Sequence, residues 1–335
     1  MTKTLKAAFL GAGYIAKIHS KNLLKLTGIE ISSVCDIERE RAENLVSSIG
    51  SNSIKIYTDF EKMLNECNFD MLFICLPPFA HSGQLEAAVE KGVHVFIEKP
   101  IALDVNRARN MVEAVKKAGV VSQVGYHMRF GEAVKKLKNL IDCGIAGIPV
   151  LFDGRYECNS LHSSWWRDYT KSGGQVFEQA IHLYDLSMYF LSEPESICGF
   201  TTNLCHKDVS DYTVEDNSVS IVKFKTGALG NIAATNCAVP MEWNGIFTVV
   251  CKNITAHFKD ANNAEFIYTS RDDVERENVT SSTDMYFEEV KAFVQAVRGD
   301  GPALCTIEEG YKSLCMVDAV VKSSGQGGKV VKLSF

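Results

Sequence analysis

From Leu5 to about Val124 the chain alternates short apolar runs, rich in β-branched residues, with amphipathic stretches of helical length. That alternation restricts the fold to βαβ units wound around a parallel sheet. Strands are expected at 7–10, 29–35, 54–57, 71–76, 93–97 and 120–124, with helices at 15–26, 38–49, 60–67, 82–91 and 105–117 between them. This is the pattern of a doubly wound dinucleotide-binding (Rossmann) domain. Beyond Gly125 the rhythm changes. A basic helix at 133–142 precedes longer alternating segments at 150–158, 196–205, 218–224, 229–236, 247–251, 255–258 and 265–269, with helices at 177–191, 286–298 and 308–323. Short turns such as Lys225-Thr226-Gly227 join several of them, which predicts an α+β domain built on an open, mainly antiparallel sheet. The division is expected at 1–124 and 125–335, with the polar stretch 270–284 a mobile surface loop.

The first expected strand ends in Gly11-Ala12-Gly13-Tyr14-Ile15-Ala16. A strand-to-helix turn of this kind brings backbone N–H groups against a pyrophosphate, and glycine is needed where a Cβ would block the approach. Glycine also serves any tight turn, so the motif gains weight from its place at the start of the βα pattern. Gly11, Gly13, Tyr14 and Ile15 are therefore candidate cofactor contacts. Asp36 ends the second strand, where an acid accepts hydrogen bonds from the adenosine ribose hydroxyls and repels a 2′-phosphate. That favours NAD over NADP, with Arg39 and Arg41 the residues that could reverse the preference.

Two further clusters carry chemistry. Leu76, Pro77 and His81 follow the fourth strand, and Glu98-Lys99-Pro100 follows the fifth, at the carboxyl edge where open α/β sheets bind ligands. Lysine is usually a surface charge. Held in a cleft, however, Lys99 can donate to a substrate hydroxyl and help lower its pKa. The other cluster runs through Trp166-Arg167 and Gly173-Gly174 to Glu178 and His182, four apart on an expected helix, with Asp185 three further on. One helix face can carry the acid and the imidazole together, although a satisfied core histidine fits the same spacing. No metal is expected, because Glu178 and His182 have no companion motif such as H-E-x-x-H.

Composition narrows the partners. The net charge is −6 and the basic residues are scattered among acids, as at 38–43, which argues against nucleic acid. No apolar run approaches the roughly 20 residues of a membrane helix. The eleven cysteines contain no C-x-x-C and are expected as small buried hydrophobes in a reducing compartment. Residues 1–6 run into the first strand without a secretory pattern, so a cytoplasmic protein is expected.

Together the three clusters resemble the family of glucose-fructose oxidoreductase, inositol dehydrogenase and rhizopine-catabolism proteins. The matching features are the G-x-G-x-x-A turn, Leu76-Pro77-Pro78 leading to His81, Glu98-Lys99-Pro100, Gly125 to Arg129-Phe130, Trp166-Arg167, and Gly173-Gly174 with an acid four residues before His182. The resemblance implies a Rossmann domain followed by a sheet domain that often forms an oligomer interface, here a homodimer or homotetramer. It implies an NAD-dependent oxidoreductase moving hydride between nicotinamide and a hydroxyl or ketone carbon of a sugar, sugar derivative or cyclitol. It makes Lys99 the contact to the reacting hydroxyl and His182 the general acid/base, with Glu178 orienting it. Leu76, Pro77, His81, Glu98, Trp166 and Arg167 fall to the cofactor side, and Arg129, Tyr156 and His162 to the substrate, with His127 a further candidate. Glu178 stands where many relatives have Asp, Gln179 where many have a small residue, and Gln175 where a third glycine is frequent. Two alternatives remain: a non-catalytic NAD- and sugar-sensing regulator of the same fold, and an NAD-dependent glycoside hydrolase.

Overall fold

The computed structural model describes residues 4–51, 53–270 and 274–335. The chain divides into two compact units, one running to His127 and including Asp284–Tyr311, the other made of Met128–Thr283 and Lys312–Phe335.

The first unit opens with β1 (Leu5–Leu10), α1 (Tyr14–Leu23), β2 (Ile29–Cys35), α2 (Arg39–Ile49), β3 (Lys55–Tyr57) and α3 (Phe60–Glu66). It continues with β4 (Met71–Ile74), α4 (Gln84–Glu90), β5 (His94–Ile97), α5 (Val105–Ala118) and β6 (Ser122–Val124). The strands lie in the order β3-β2-β1-β4-β5-β6, all parallel. Chain direction away from β1 reverses between β1 and β4, so the loops after these two strands part at the carboxyl edge. β1 and β4 are almost wholly apolar and buried because a parallel sheet is covered on both faces. Helix ends follow local chemistry: Asp104 accepts from Arg107 N–H at 2.8 Å to open α5, and Gly119 closes it at φ +65°.

In the second unit, α6 (Glu132–Asp142), β7 (Pro149–Cys158), α7 (Ser164–Arg167) and α8 (Tyr169–Ser172) lead to a π turn at Val176–Ala180, followed by α9 (Ile181–Leu191). Strands β8 (Pro194–Thr202), β9 (Asn217–Phe224), β10 (Leu229–Thr235), β11 (Trp243–Cys251), β12 (Ile254–Phe258), β13 (Ala264–Tyr268) and β14 (Glu275–Val279) come next. The chain ends with α10 (Met285–Arg298), α11 (Ile307–Gly325) and β15 (Val331–Lys332). The nine strands form one sheet, β14-β13-β12-β11-β7-β10-β9-β8-β15, antiparallel except for the β7/β10 pair. One face is buried, with Phe152, Val222, Phe224 and Ile232 in it. On the other, Leu151, Phe200, Val219, Ile221 and Leu229 are exposed, and register sets Phe200 beside Val219 and Leu229 beside Leu151.

Both expected architectures are present, a doubly wound parallel sheet and an open, mainly antiparallel one. Four local expectations are corrected. Residues 284–311 belong to the first unit, because the apolar face of α10 (Val290, Phe293, Val294) packs into the same core as Phe73 and Phe96. The polar stretch 270–284 contains β14, whose charged sequence suits a sheet edge and hides the strand period. Residues 271–273 of that stretch, and residues 1–3 at the start of the chain, lie outside the described residues. The helix expected from 177 begins with a π turn. Finally, Cys205 and Cys237 are joined as a disulfide: they follow the ends of β8 and β10, whose last residues Thr202 and Thr235 both pair with Asn217 of β9. Among the described residues the other nine cysteines form no disulfide.

Candidate active site

The glycine turn shows two different reasons for glycine. Gly11 sits at φ +87°, and a Cβ there would lie 2.5 Å from the Cys75 carbonyl oxygen and 3.2 Å from Leu76 Cδ2. This glycine is required by the close approach of the β1 and β4 loops. Gly13 has φ −77°, and a Cβ there would meet nothing within 4 Å. The protein itself does not need that space, which leaves it for a ligand against the N-terminus of α1, whose first N–H groups receive no side-chain cap. Ala16 is buried where the helix packs on the sheet.

Asp36 is buried beside this turn. Its Oδ2 accepts from Ala12 N–H at 2.8 Å and its Oδ1 from Glu38 N–H at 2.9 Å, which fixes the carboxylate while leaving it further acceptor capacity for ribose hydroxyls. Tyr14 and Ile37 flank the turn at 83% and 88% exposure, large apolar surfaces open to an approaching ring. Arg39 and Arg41 pair with Glu43 and Glu38, both at 2.8 Å on the surface. The residues thus fit a dinucleotide with a free ribose 2′-hydroxyl.

His81 is buried, and its pKa falls to about 4 through burial first and then the Arg107 charge, against a hydrogen bond with the Leu76 backbone. It is a neutral ring that ties down the loop carrying Leu76 and Pro77. Glu98 is buried and bonded to His19 Nε2 at 2.6 Å. Lys99 follows half-buried, before a cis peptide bond to Pro100.

In the second unit, Glu178 lies on the π turn and His182 is the second residue of α9, both buried. The backbone before them is set by a residue that sequence reasoning missed. Glu215 Oε1 accepts from Val176 N–H at 2.7 Å, and a Cβ on Gly174, at φ +94°, would lie 2.0 Å from Glu215 Oε2. Burial raises the Glu215 carboxyl to about 7, opposed by its backbone hydrogen bonds. The glycine pair was the only sign that something must come this close.

Gln179 is the hub of the surrounding polar groups. Its amide nitrogen lies 3.2 Å from His162 Nε2, and its oxygen accepts from the Cys158 thiol at 3.2 Å. His162, at φ +52°, packs on Trp166 with ring centroids 4.1 Å apart, and Trp166 on Tyr212 at 6.2 Å. Trp166 is therefore the buried centre of an aromatic cluster with Tyr212 and Val214. Arg167 Nε donates to Asp211 at 2.9 Å. Tyr156 is largely buried, which pushes its phenol above the usual range. Arg129 is bonded to both oxygens of Asp185, at 2.7 and 2.6 Å, and lies over the Tyr189 ring, so its guanidinium has an internal structural role.

A parallel six-stranded sheet whose first glycine loop leaves room for a phosphate, followed by a large mixed sheet domain, defines a dinucleotide-binding protein of two units. The chain belongs to the glucose-fructose oxidoreductase, inositol dehydrogenase and rhizopine-catabolism family: residues 5–126 match the model described as "Oxidoreductase family, NAD-binding Rossmann fold", and residues 134–257 match "GFO/IDH/MocA C-terminal domain". It is 26% identical to the myo-inositol 2-dehydrogenase of Thermotoga maritima over 95% of this chain and 96% of the relative. It is 25% identical to the D-glucoside 3-dehydrogenase of Escherichia coli, over 97% of each chain. In structure it is similar to a levoglucosan dehydrogenase solved with NADH and levoglucosan, with a TM-score of 0.90, 19% identity, and 99% of this chain and 100% of that one covered. The first unit is an NAD-binding domain and the protein is an oxidoreductase. No helix among the described residues is long and apolar enough to cross a membrane.

Proposed function

We propose that the protein interconverts a hydroxyl and a ketone on a sugar, sugar derivative or cyclitol. The observation that carries this reading is the vacant space at Gly13 beside the fixed Asp36 carboxylate, combined with relatives named for inositol and glucoside oxidation. Gly13 would take the pyrophosphate of NAD and Asp36 its adenosine ribose, and the cofactor would supply a nicotinamide able to accept or return the carbinol hydride. In the oxidative direction, His182 takes the hydroxyl proton on an imidazole nitrogen while Lys99 stabilises the developing alkoxide. Glu178 orients the imidazole. His162 and Tyr156 offer polar groups to further hydroxyls, and Trp166 with Arg167 forms the adjoining wall.

The test is a screen of inositols, glucosides, levoglucosan and sugar nucleotides for NAD⁺ reduction at 340 nm, followed by Lys99→Ala and His182→Ala. Each variant is expected to lose about 100-fold or more in kcat with NADH affinity kept. Full turnover in either one refutes its assigned role. A regulator of the same fold would bind NADH and sugar without turnover, and a glycoside hydrolase would cleave a glycoside without net NADH. The exposed apolar sheet face is assigned to self-association as a homodimer or homotetramer.

A further inference from the structure

Behind Lys99 the first unit holds a closed cluster of ionisable groups. His19 on α1 and Glu289 on α10 are fully buried, and Glu98 nearly so. His19 Nε2 lies 2.6 Å from Glu98 Oε1, while its Nδ1 faces Glu289 Oε1 at 3.9 Å. The imidazole ring is held edge-on to Phe96 with centroids 4.8 Å apart, and Phe96 in turn packs on Phe73 and Phe293. Glu98 is confined by Gly125 too, since a Cβ there would sit 2.8 Å from its carboxylate. Its backbone N–H donates to the Ile74 carbonyl at 3.0 Å.

Such a cluster could serve only to pin two helices to the sheet. Two observations give it a direction. The carboxylate it grips belongs to the residue immediately before Lys99, so fixing Glu98 fixes the peptide from which Lys99 extends. In addition, His127 feels Glu98, Lys99 and His19 together, its pKa brought to about 4 by burial, with Glu98 opposing and Lys99 and His19 adding. The Lys99 charge therefore belongs to the same electrostatic neighbourhood. Burial, then Glu98 and Asp284, hold the Glu289 carboxyl well above its ordinary range.

We propose that His19 is a positioning residue for Lys99: through its hydrogen bond to the buried Glu98 carboxylate, it holds the Glu98-Lys99 segment and sets the charge that the lysine experiences. Removing the imidazole leaves a buried carboxylate without this partner and frees the segment it anchors. This inference rests on the catalytic reading of Lys99 given above, but its experiment reads the lysine directly.

The experiment is competitive acetylation with acetic anhydride, read by mass spectrometry at Lys99 against the exposed Lys117, in wild type, His19→Ala and His19→Gln. A glutamine nitrogen can replace Nε2 as the donor to Glu98. The relative labelling of Lys99 is expected to change at least about threefold in H19A, and to return in H19Q. With the best substrate of the screen, kcat is expected to follow the same order, falling up to about 100-fold in H19A, with the NADH dissociation constant unchanged. Unchanged Lys99 labelling in folded H19A, or equal impairment in H19Q and H19A, overturns the proposal. If H19A does not fold, Glu98→Gln carries the test, since it keeps the shape and removes the charge: altered Lys99 labelling supports the proposal and unaltered labelling refutes it. Full turnover in K99A would remove the catalytic reading while leaving the labelling result intact.

Discussion

At the scale of single residues, Gly11 and Gly13 separate a fold requirement from a ligand requirement. Gly11→Ala forces a Cβ against the Cys75 carbonyl at a positive φ, and is expected to destabilise the protein by about 1–3 kcal/mol or more. Gly13→Ala meets nothing in the protein and is expected to leave Tm unchanged while weakening NADH at least about tenfold, equivalent to 1.4 kcal/mol. Thermal melts and NADH fluorescence titration check the pair, and a Gly13→Ala variant that melts early but binds normally would reverse the assignment. The places of the glycines, Asp36 and Lys99 just after β1, β2 and β5 were legible in the sequence, because each follows an apolar run. His19 was not, since an imidazole on a helix carries no mark of the carboxylate it will meet 79 residues later. Arg129 misled in the other direction, because a basic residue in a motif does not show that Asp185 claims it.

Among the elements, the π turn at Val176–Ala180 depends on a carboxyl group that titrates within the physiological range. The Glu215 pKa is raised to about 7 against an ordinary 4.5. The unfolded chain loses this proton first, so the stabilising contribution is complete below pH 4.5, is lost as pH rises to about 7, and is constant beyond. Glu215→Gln keeps the oxygen that accepts from Val176 N–H without the titration. Its Tm relative to wild type is therefore expected to be higher at pH 8 than at pH 5, and a pH-independent difference would contradict the assignment. The regular helices and most strands followed from apolar spacing. The π turn did not, because its cause lies on another segment, and β14 did not, because Glu275-Arg276-Glu277-Asn278-Val279 has no apolar alternation.

For the whole molecule, the sequence order of elements gave both sheets, yet the unit boundary is not linear. The helix α10 resembles any amphipathic surface helix in sequence, and only its packing beside Phe73 and Phe96 assigns it to the first unit. Glu289, directly before Val290, is buried with that apolar face. The exposed face of the second sheet makes a prediction at this scale. Ile221, 54% exposed on β9 beside Val219 and near Phe200, is central to it. If the proposed self-association uses this face, Ile221→Glu is expected to lower the mass in light scattering to that of one chain with its fold retained, and an unchanged mass would refute the assignment.

The ends of that sheet carry a consequence of their own. One border is the charged strand β14 and the other is the two-residue β15, so neither offers a long row of open backbone groups to a newcomer. Lateral growth into filaments is blocked at both margins, while the flat side stays sticky. The self-association proposed above would then join copies of this chain face to face rather than edge to edge, and its expected end point is a closed, countable particle.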